Sequence, residues 1–266
     1  MDAAATSLFA PGVWPSFVLI SARISGLMIL SPFWSLVSIP RPSKGALIVV
    51  LAAILTPLAG TVPFPDRVLS IPMPLMMEFT IGLVIGLCAA VVAHALMLAS
   101  EVISMQTGLS LGQVLTPNLE TGGPALSQLY WLLGLAVFVG IDGPTVMLQA
   151  LARSIVDYPP GSSSITFTEG PMAVLNLTGS VFRYAIQICA PVMVALTLAN
   201  LLMAILSRAV PQLNAMAMAF GVTLSIGLLM IGLSLSLVVR ALTKWYATSI
   251  GSADGLLNLM IRSGAQ

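Results

Sequence analysis

Charged residues are so sparse along this chain that the intervals between them mark out its architecture. Gly45 to Pro65 lies between Lys44 and Asp66, Phe79 to Ser100 between Glu78 and Glu101, Thr121 to Ile141 between Glu120 and Asp142, and Tyr184 to Ser207 between Arg183 and Arg208. Each interval has the roughly 20 apolar residues that a membrane-spanning helix requires. The uncharged run from Ala209 to Val239 is too long for one straight span. At about 1.5 Å per residue it would reach about 46 Å, against a hydrocarbon core of about 30 Å. Pro211, which cannot donate a backbone hydrogen bond, stands with Gln212 and Asn214 just after Arg208, so Tyr184 to Ser207 and Leu213 to Val239 read as a helical hairpin around a short polar turn. Near the N-terminus, Arg23 interrupts Ser7 to Ile39 and Ser31-Pro32-Phe33 ends or kinks a helix, predicting helix, break, helix. Two surface loops are expected, one around Pro63, Pro65, Pro72 and Pro74 and one over Tyr158-Pro159-Pro160-Gly161 and the serines after it.

The pattern predicts an all-α polytopic membrane protein of packed helical hairpins. A single domain over 1–266 is expected, with N-terminal helices in 7–157 and a C-terminal hairpin at about 171–246. Composition agrees: 58% of the 266 residues are hydrophobic and 7% charged, where a soluble domain carries about 25% charge. With a formal net charge of +1 there is no basic face to neutralise phosphates, which excludes nucleic acid as a partner. Asp2, with no basic residue before Arg23, is the wrong start for a cleaved signal, so the first apolar stretch is expected to remain. Tyr130-Trp131 and Lys244-Trp245-Tyr246 sit near segment ends, where interfacial aromatic belts form.

Charge placement does not fit a simple set of spans. Arg41 with Lys44 and Arg240 with Lys244 are the main basic clusters, yet five candidate spans separate them, which puts them on opposite faces of the membrane. Arg23, Glu78, Glu101, Arg183 and Arg208 lie in or against apolar runs, where a lone charge facing lipid costs at least about 2.5 kcal/mol. The first four are expected to be buried charges at helix or subunit interfaces. A proton or ion relay is the sharper alternative.

Candidate chemistry is thin. Gly108-Leu109-Ser110-Leu111-Gly112 has the spacing of a nucleophile elbow, but no strand precedes it, and His94, the single histidine, comes before it on a helix. No catalytic residue, metal site or cofactor is expected, because His94 lacks companion ligands and Cys88 and Cys189 sit in apolar runs without a CxxC spacing. Gly82 and Gly86 form a GxxxG in an apolar helix and are expected to admit a neighbouring helix closely. Met73, Met76, Met77 and Met105 bracket the same helix with adaptable side chains, suited to a soft seal. The stretch from Met105 to Glu120 is apolar yet contains Gly108, Gly112, Pro117 and Asn118. Non-helical backbone at membrane depth is tolerated only inside protein or along a water-filled cavity, which makes this a candidate pore-facing loop.

Taken in order, Ala22-Arg23-Ile24 with Pro32, Pro40 with Lys44, Glu78 with Gly82 and Gly86, Gln106 to Gly112 with Pro117, and Ser207-Arg208-Ala209-Val210-Pro211-Gln212-Leu213-Asn214 after Pro191 and Asn200 form a characteristic series. It resembles the export-apparatus family of type III secretion that comprises the flagellar FliR and injectisome SctT proteins, over Arg23 to Arg240. The chain departs from the family pattern at Gly143-Pro144 and at Ala219-Phe220-Gly221. The resemblance implies a non-enzymatic subunit of the flagellar export gate of the bacterial inner membrane and basal body, assembled with FliP, FliQ and FlhB and passing unfolded export substrates. It further implies that Gln106, Gly108, Leu109, Ser110, Leu111 and Gly112 belong to a loop plugging the pore, and that Arg208, Pro211, Gln212 and Asn214 shape the hairpin turn. Membrane lipid remains a partner, although much of the apolar surface then serves neighbouring helices. Alternatives are an injectisome homologue, a small-solute transporter using Arg23, Glu78, Glu101 or Arg183, and an intramembrane hydrolase that brings His94 to Ser110.

Overall fold

The computed structural model describes residues 13–34, 40–60, 71–109, 125–161, 170–209 and 215–261. Among these it is helical without a strand: α1 (Val13–Leu30), α2 (Arg41–Ala59), α3 (Pro72–Thr107), α4 (Ala125–Gly140), α5 (Gly143–Asp157), α6 (Gly170–Ala209), α7 (Ala215–Gly251) and α8 (Ala253–Ile261). Five described stretches are long and apolar enough to cross a membrane, and Leu126–Gly140 with Gly143–Asp157 form a further pair bent by 62°. The chain is therefore a polytopic helical membrane protein.

Backbone chemistry sets most helix ends. Pro40 caps α2 with Pro42 in its first turn, where a missing N–H is harmless, and Gly60 closes it at φ 69°, a conformation glycine adopts without strain. α1 stops at Leu30, before Ser31 and Pro32. α5 begins with Pro144 in its first turn, behind Asp142 at φ 55°.

Several of the charges that bound the intervals above do not end helices. Arg23 lies inside α1, Glu78 and Glu101 inside α3, Arg183 inside α6, and Arg240 and Lys244 inside α7. α3, α6 and α7 consequently reach 36, 40 and 37 residues, or roughly 54 to 60 Å at 1.5 Å per residue, well beyond the hydrocarbon core. α5 was not anticipated as a separate helix, because a 15-residue segment falls short of a span.

The helices group into two compact units that interleave along the sequence. Unit 1 is Met1–Val91, Val139–Thr178 and Tyr246–Gln266; unit 2 is Val92–Phe138 and Gly179–Trp245. In unit 1, Leu19, Ile20, Ile24 and Leu27 of α1, Ile81, Val84 and Ile85 of α3, and Met147, Leu151 and Ile155 of α5 form the core. In unit 2, Leu96, Ala99 and Ile103 of α3, Phe138 of α4, and Ile188, Val192 and Leu196 of α6 are buried. The most apolar window of α3 is 72% buried, that of α2 only 11%.

Candidate functional site

The polar centre of unit 1 is built around Arg23, whose side chain is fully buried in α1. A guanidinium presents five N–H donors in one plane, and every one finds an acceptor. Nε donates to Glu78 Oε2 at 2.6 Å, and Nη2 lies 2.5 Å from the same oxygen. Nη1 donates to the Ser154 carbonyl at 2.7 Å and to Ser154 Oγ at 3.1 Å, and Nη2 also donates to the Tyr158 carbonyl at 3.0 Å. Glu78 Oε1 accepts the Gly161 amide at 3.2 Å. Gly161 holds φ 78°, so a glycine is needed where the chain turns to offer that N–H.

Ser154 and Tyr158 bracket the last turn of α5, where carbonyls lack intrahelical partners and the helix dipole is negative. Arg23 therefore acts as a cationic cap on α5 while neutralising Glu78 of α3. One side chain joins α1, α3 and the end of α5. Tyr158 extends the network by donating its hydroxyl to Asn258 Oδ1 of α8 at 2.7 Å.

The pair can meet because α1 and α3 approach backbone to backbone. A Cβ on Gly82 would collide with the Arg23 carbonyl oxygen and come within 2.8 Å of its carbon, and one on Gly26 would collide with the Phe79 carbonyl oxygen. A Cβ on Gly86 would lie 2.8 Å from the Leu27 carbonyl oxygen. Gly26 escapes a motif search because its partner is on another helix. Ser154, Tyr158 and Gly161 escape it because they contribute mainly main-chain groups.

The other anticipated residues lie elsewhere. Glu101 and Arg183, expected with Arg23 and Glu78 at helix or subunit interfaces, are exposed within this chain, each on the outward side of its helix; of the four, only Arg23 and Glu78 are buried in it. Gln106 is half-buried in the last turn of α3, which ends at Thr107. Gly108 follows at φ 79°, its amide donating to Met105, and Leu109 is exposed. Ser110, Leu111 and Gly112 lie outside the described residues, as do Pro211, Gln212 and Asn214; Arg208 is exposed in the last turn of α6. His94 is exposed on α3, and no group of three metal-binding side chains occurs among the described residues.

The family model for bacterial export proteins, family 1, matches residues 14–248. The flagellar biosynthetic protein FliR of Aquifex aeolicus is 30% identical over 169 residues, 64% of this chain and 65% of that protein. FliR of Caulobacter vibrioides is 26% identical over 86% of this chain and 91% of its own length, and FliR of Bacillus subtilis 22% identical over 93% and 96%. The matched span takes in α1 to α6 and most of α7, and with them the Arg23 centre and the glycine seam. On this evidence the chain belongs to family 1 of the bacterial export proteins, the family of the flagellar biosynthetic protein FliR, as a helical membrane component of flagellar protein export.

Proposed function

We propose that this protein is a non-enzymatic structural subunit of the flagellar export gate in the bacterial inner membrane, forming part of the conduit for unfolded flagellar proteins. FliP, FliQ and FlhB are its proposed neighbours. The observation that carries the reading is the family match across nearly all the apolar helices, 14–248, combined with the abrupt end of the longest buried helix. α3 stops at Thr107, Gly108 turns the chain, and the glycine-rich segment through Gly112 follows. In this reading Gln106 to Gly112 belong to a plug across the pore, and Arg208 to Asn214 set the turn joining α6 to α7.

The named relatives quoted above are flagellar proteins, which favours the flagellar over the injectisome assignment. The Arg23 centre weighs against a solute transporter. Transporters leave the ends of broken helices open for an ion or substrate, whereas here the carbonyls at the end of α5 are occupied by the chain's own guanidinium. Reading the bent α4–α5 pair as re-entrant would remove the orientation conflict. α2, α3, α6 and α7 then separate Arg41 and Lys44 from Arg240 and Lys244, an even number, and both clusters fall on one side.

Deleting Gly108 to Gly112 tests the plug. The assembled gate should become leaky to ions in membrane conductance measurements. Unchanged conductance in a gate that still assembles would overturn the assignment.

A further inference from the structure

In unit 2, α3 is enclosed on every side but one. Ala95, Leu96, Ala99, Ser100, Ile103, Ser104 and Thr107 are buried, while Met97, Leu98, Val102 and Gln106 are half-buried. His94, Glu101 and Met105 are the exposed positions between Val92 and Thr107. At about 100° per residue, steps of seven and then four keep these three within an arc of about 40°. Leu109, exposed just beyond the helix, leads from this line toward the glycine-rich segment.

Both ionisable side chains of this half of α3 fall in that narrow arc. Wherever this arc met hydrocarbon, a carboxylate would cost about 2.5 kcal/mol or more. The exposed positions of α6 and α7 include the apolar Phe182, Ile186, Leu198, Leu202, Leu229 and Leu233, with Arg183, Arg208, Arg240 and Lys244 as the exposed charges. Glu101 makes no ion pair among the described residues, so none of them neutralises its charge. Water meets that need without any further charged group, and Met105, 70% exposed, adds a flexible apolar surface beside it.

We infer that the His94, Glu101 and Met105 face of α3 lines the aqueous passage along which the unfolded substrate moves toward the plug segment. This rests on the conduit reading above and names the wall of that conduit. Unfolded chains carry both apolar and polar side chains, and a face alternating imidazole, carboxylate and thioether offers each weak contact without a specific pocket.

The test is thiol accessibility in gates assembled in their native membrane. Single cysteines replace His94, Glu101 and Met105 in a Cys88→Ala, Cys189→Ala background. Ala95→Cys and Ala99→Cys report the buried face, and motility of the host verifies assembly. A charged, membrane-impermeant methanethiosulfonate should label positions 94, 101 and 105 roughly tenfold faster than 95 and 99, because thiol reactivity follows exposure. Stalling the gate with an export substrate fused to a domain that cannot unfold should protect the three fast positions. Labelling no faster than at 95 and 99 would overturn the inference and assign the face to a partner subunit. Fast labelling that a stalled substrate leaves unchanged would also overturn it, as a wet surface outside the conduit. The plug is judged separately by conductance, so either claim can fail alone.

Discussion

Glycines in α1 and α3 and glycines in α6 and α7 occupy the same kind of apolar helix but meet opposite surroundings. At Gly26, Gly82 and Gly86 the place of a side chain is already taken by the backbone of the facing helix. At Gly179, Gly221 and Gly232 nothing lies within 4 Å of it, Gly227 of α7, where it would meet the Thr107 side chain, being the exception. Glycine costs a helix roughly 1 kcal/mol relative to alanine. In the first region that cost is offset by close helix contact and by the ion pair the contact permits. At the three open positions of the second it is offset by no contact with the described residues. The α1–α3 seam is thus complete in the folded chain, while the hairpin helices also carry open glycines and broad exposed apolar faces.

The comparison breaks most sharply at Arg23. Arg23→Ala leaves Glu78 buried without a countercharge and the last carbonyls of α5 uncapped, and should destabilise the protein by about 3–5 kcal/mol. Replacing both partners, Arg23→Met with Glu78→Leu, should recover a large share of the loss, since an apolar pair leaves no buried charge behind. Reversible unfolding in mixed micelles, followed by circular dichroism, measures both. A single mutant as stable as the parent would show that the network is not holding α1, α3 and α5 together.

A smaller effect is expected at Gly82. Its added methyl group meets the Arg23 carbonyl, a backbone atom that moves only if α1 moves. Gly82→Ala should therefore cost about 1–3 kcal/mol in the same unfolding measurement. Because displacing α1 also displaces the guanidinium, part of that cost should vanish when Gly82→Ala is placed in the Arg23→Met, Glu78→Leu background. Strict additivity of the two changes would instead mean that close packing and ion pairing are independent.

The sequence announces one side of this contrast better than the other. Apolar runs longer than about 20 residues reveal that helices exist, and Gly82 with Gly86 marks where one can be approached. Charge proves a poor terminator because of two different physical fates. Arg23 and Glu78 are tolerated by pairing in the interior, and Glu101 and Arg183 by facing outward. The acceptors that complete the Arg23 centre are carbonyls of Ser154 and Tyr158, and main-chain groups leave no residue-specific trace in a sequence. Only the Tyr158-Pro159-Pro160-Gly161 turn hints at them, by bringing a helix to its end. The exposed face of α3 was legible in principle, since seven residues separate His94 from Glu101 and four separate Glu101 from Met105, but exposure could not be assigned before the neighbours of α3 were known.

The finest test concerns the open glycines, and it is one of sign. Gly232 lies inside α7 with open space where a Cβ would stand. If the hairpin met only lipid, Gly232→Ala should stabilise the isolated chain by about 0.5–1 kcal/mol through helix propensity and leave the assembled gate unaffected or improved. If a neighbouring subunit's backbone packs there, as the α1–α3 seam does internally, the gain in the isolated chain should come with weaker assembly, because the methyl group holds the helices apart. Micellar unfolding of the lone chain reports the first quantity, and the yield of intact gate in gentle detergent reports the second. We expect opposite signs. Matching signs would mean that the hairpin's open glycines serve no subunit contact, and that the difference between the two regions reflects lipid exposure alone.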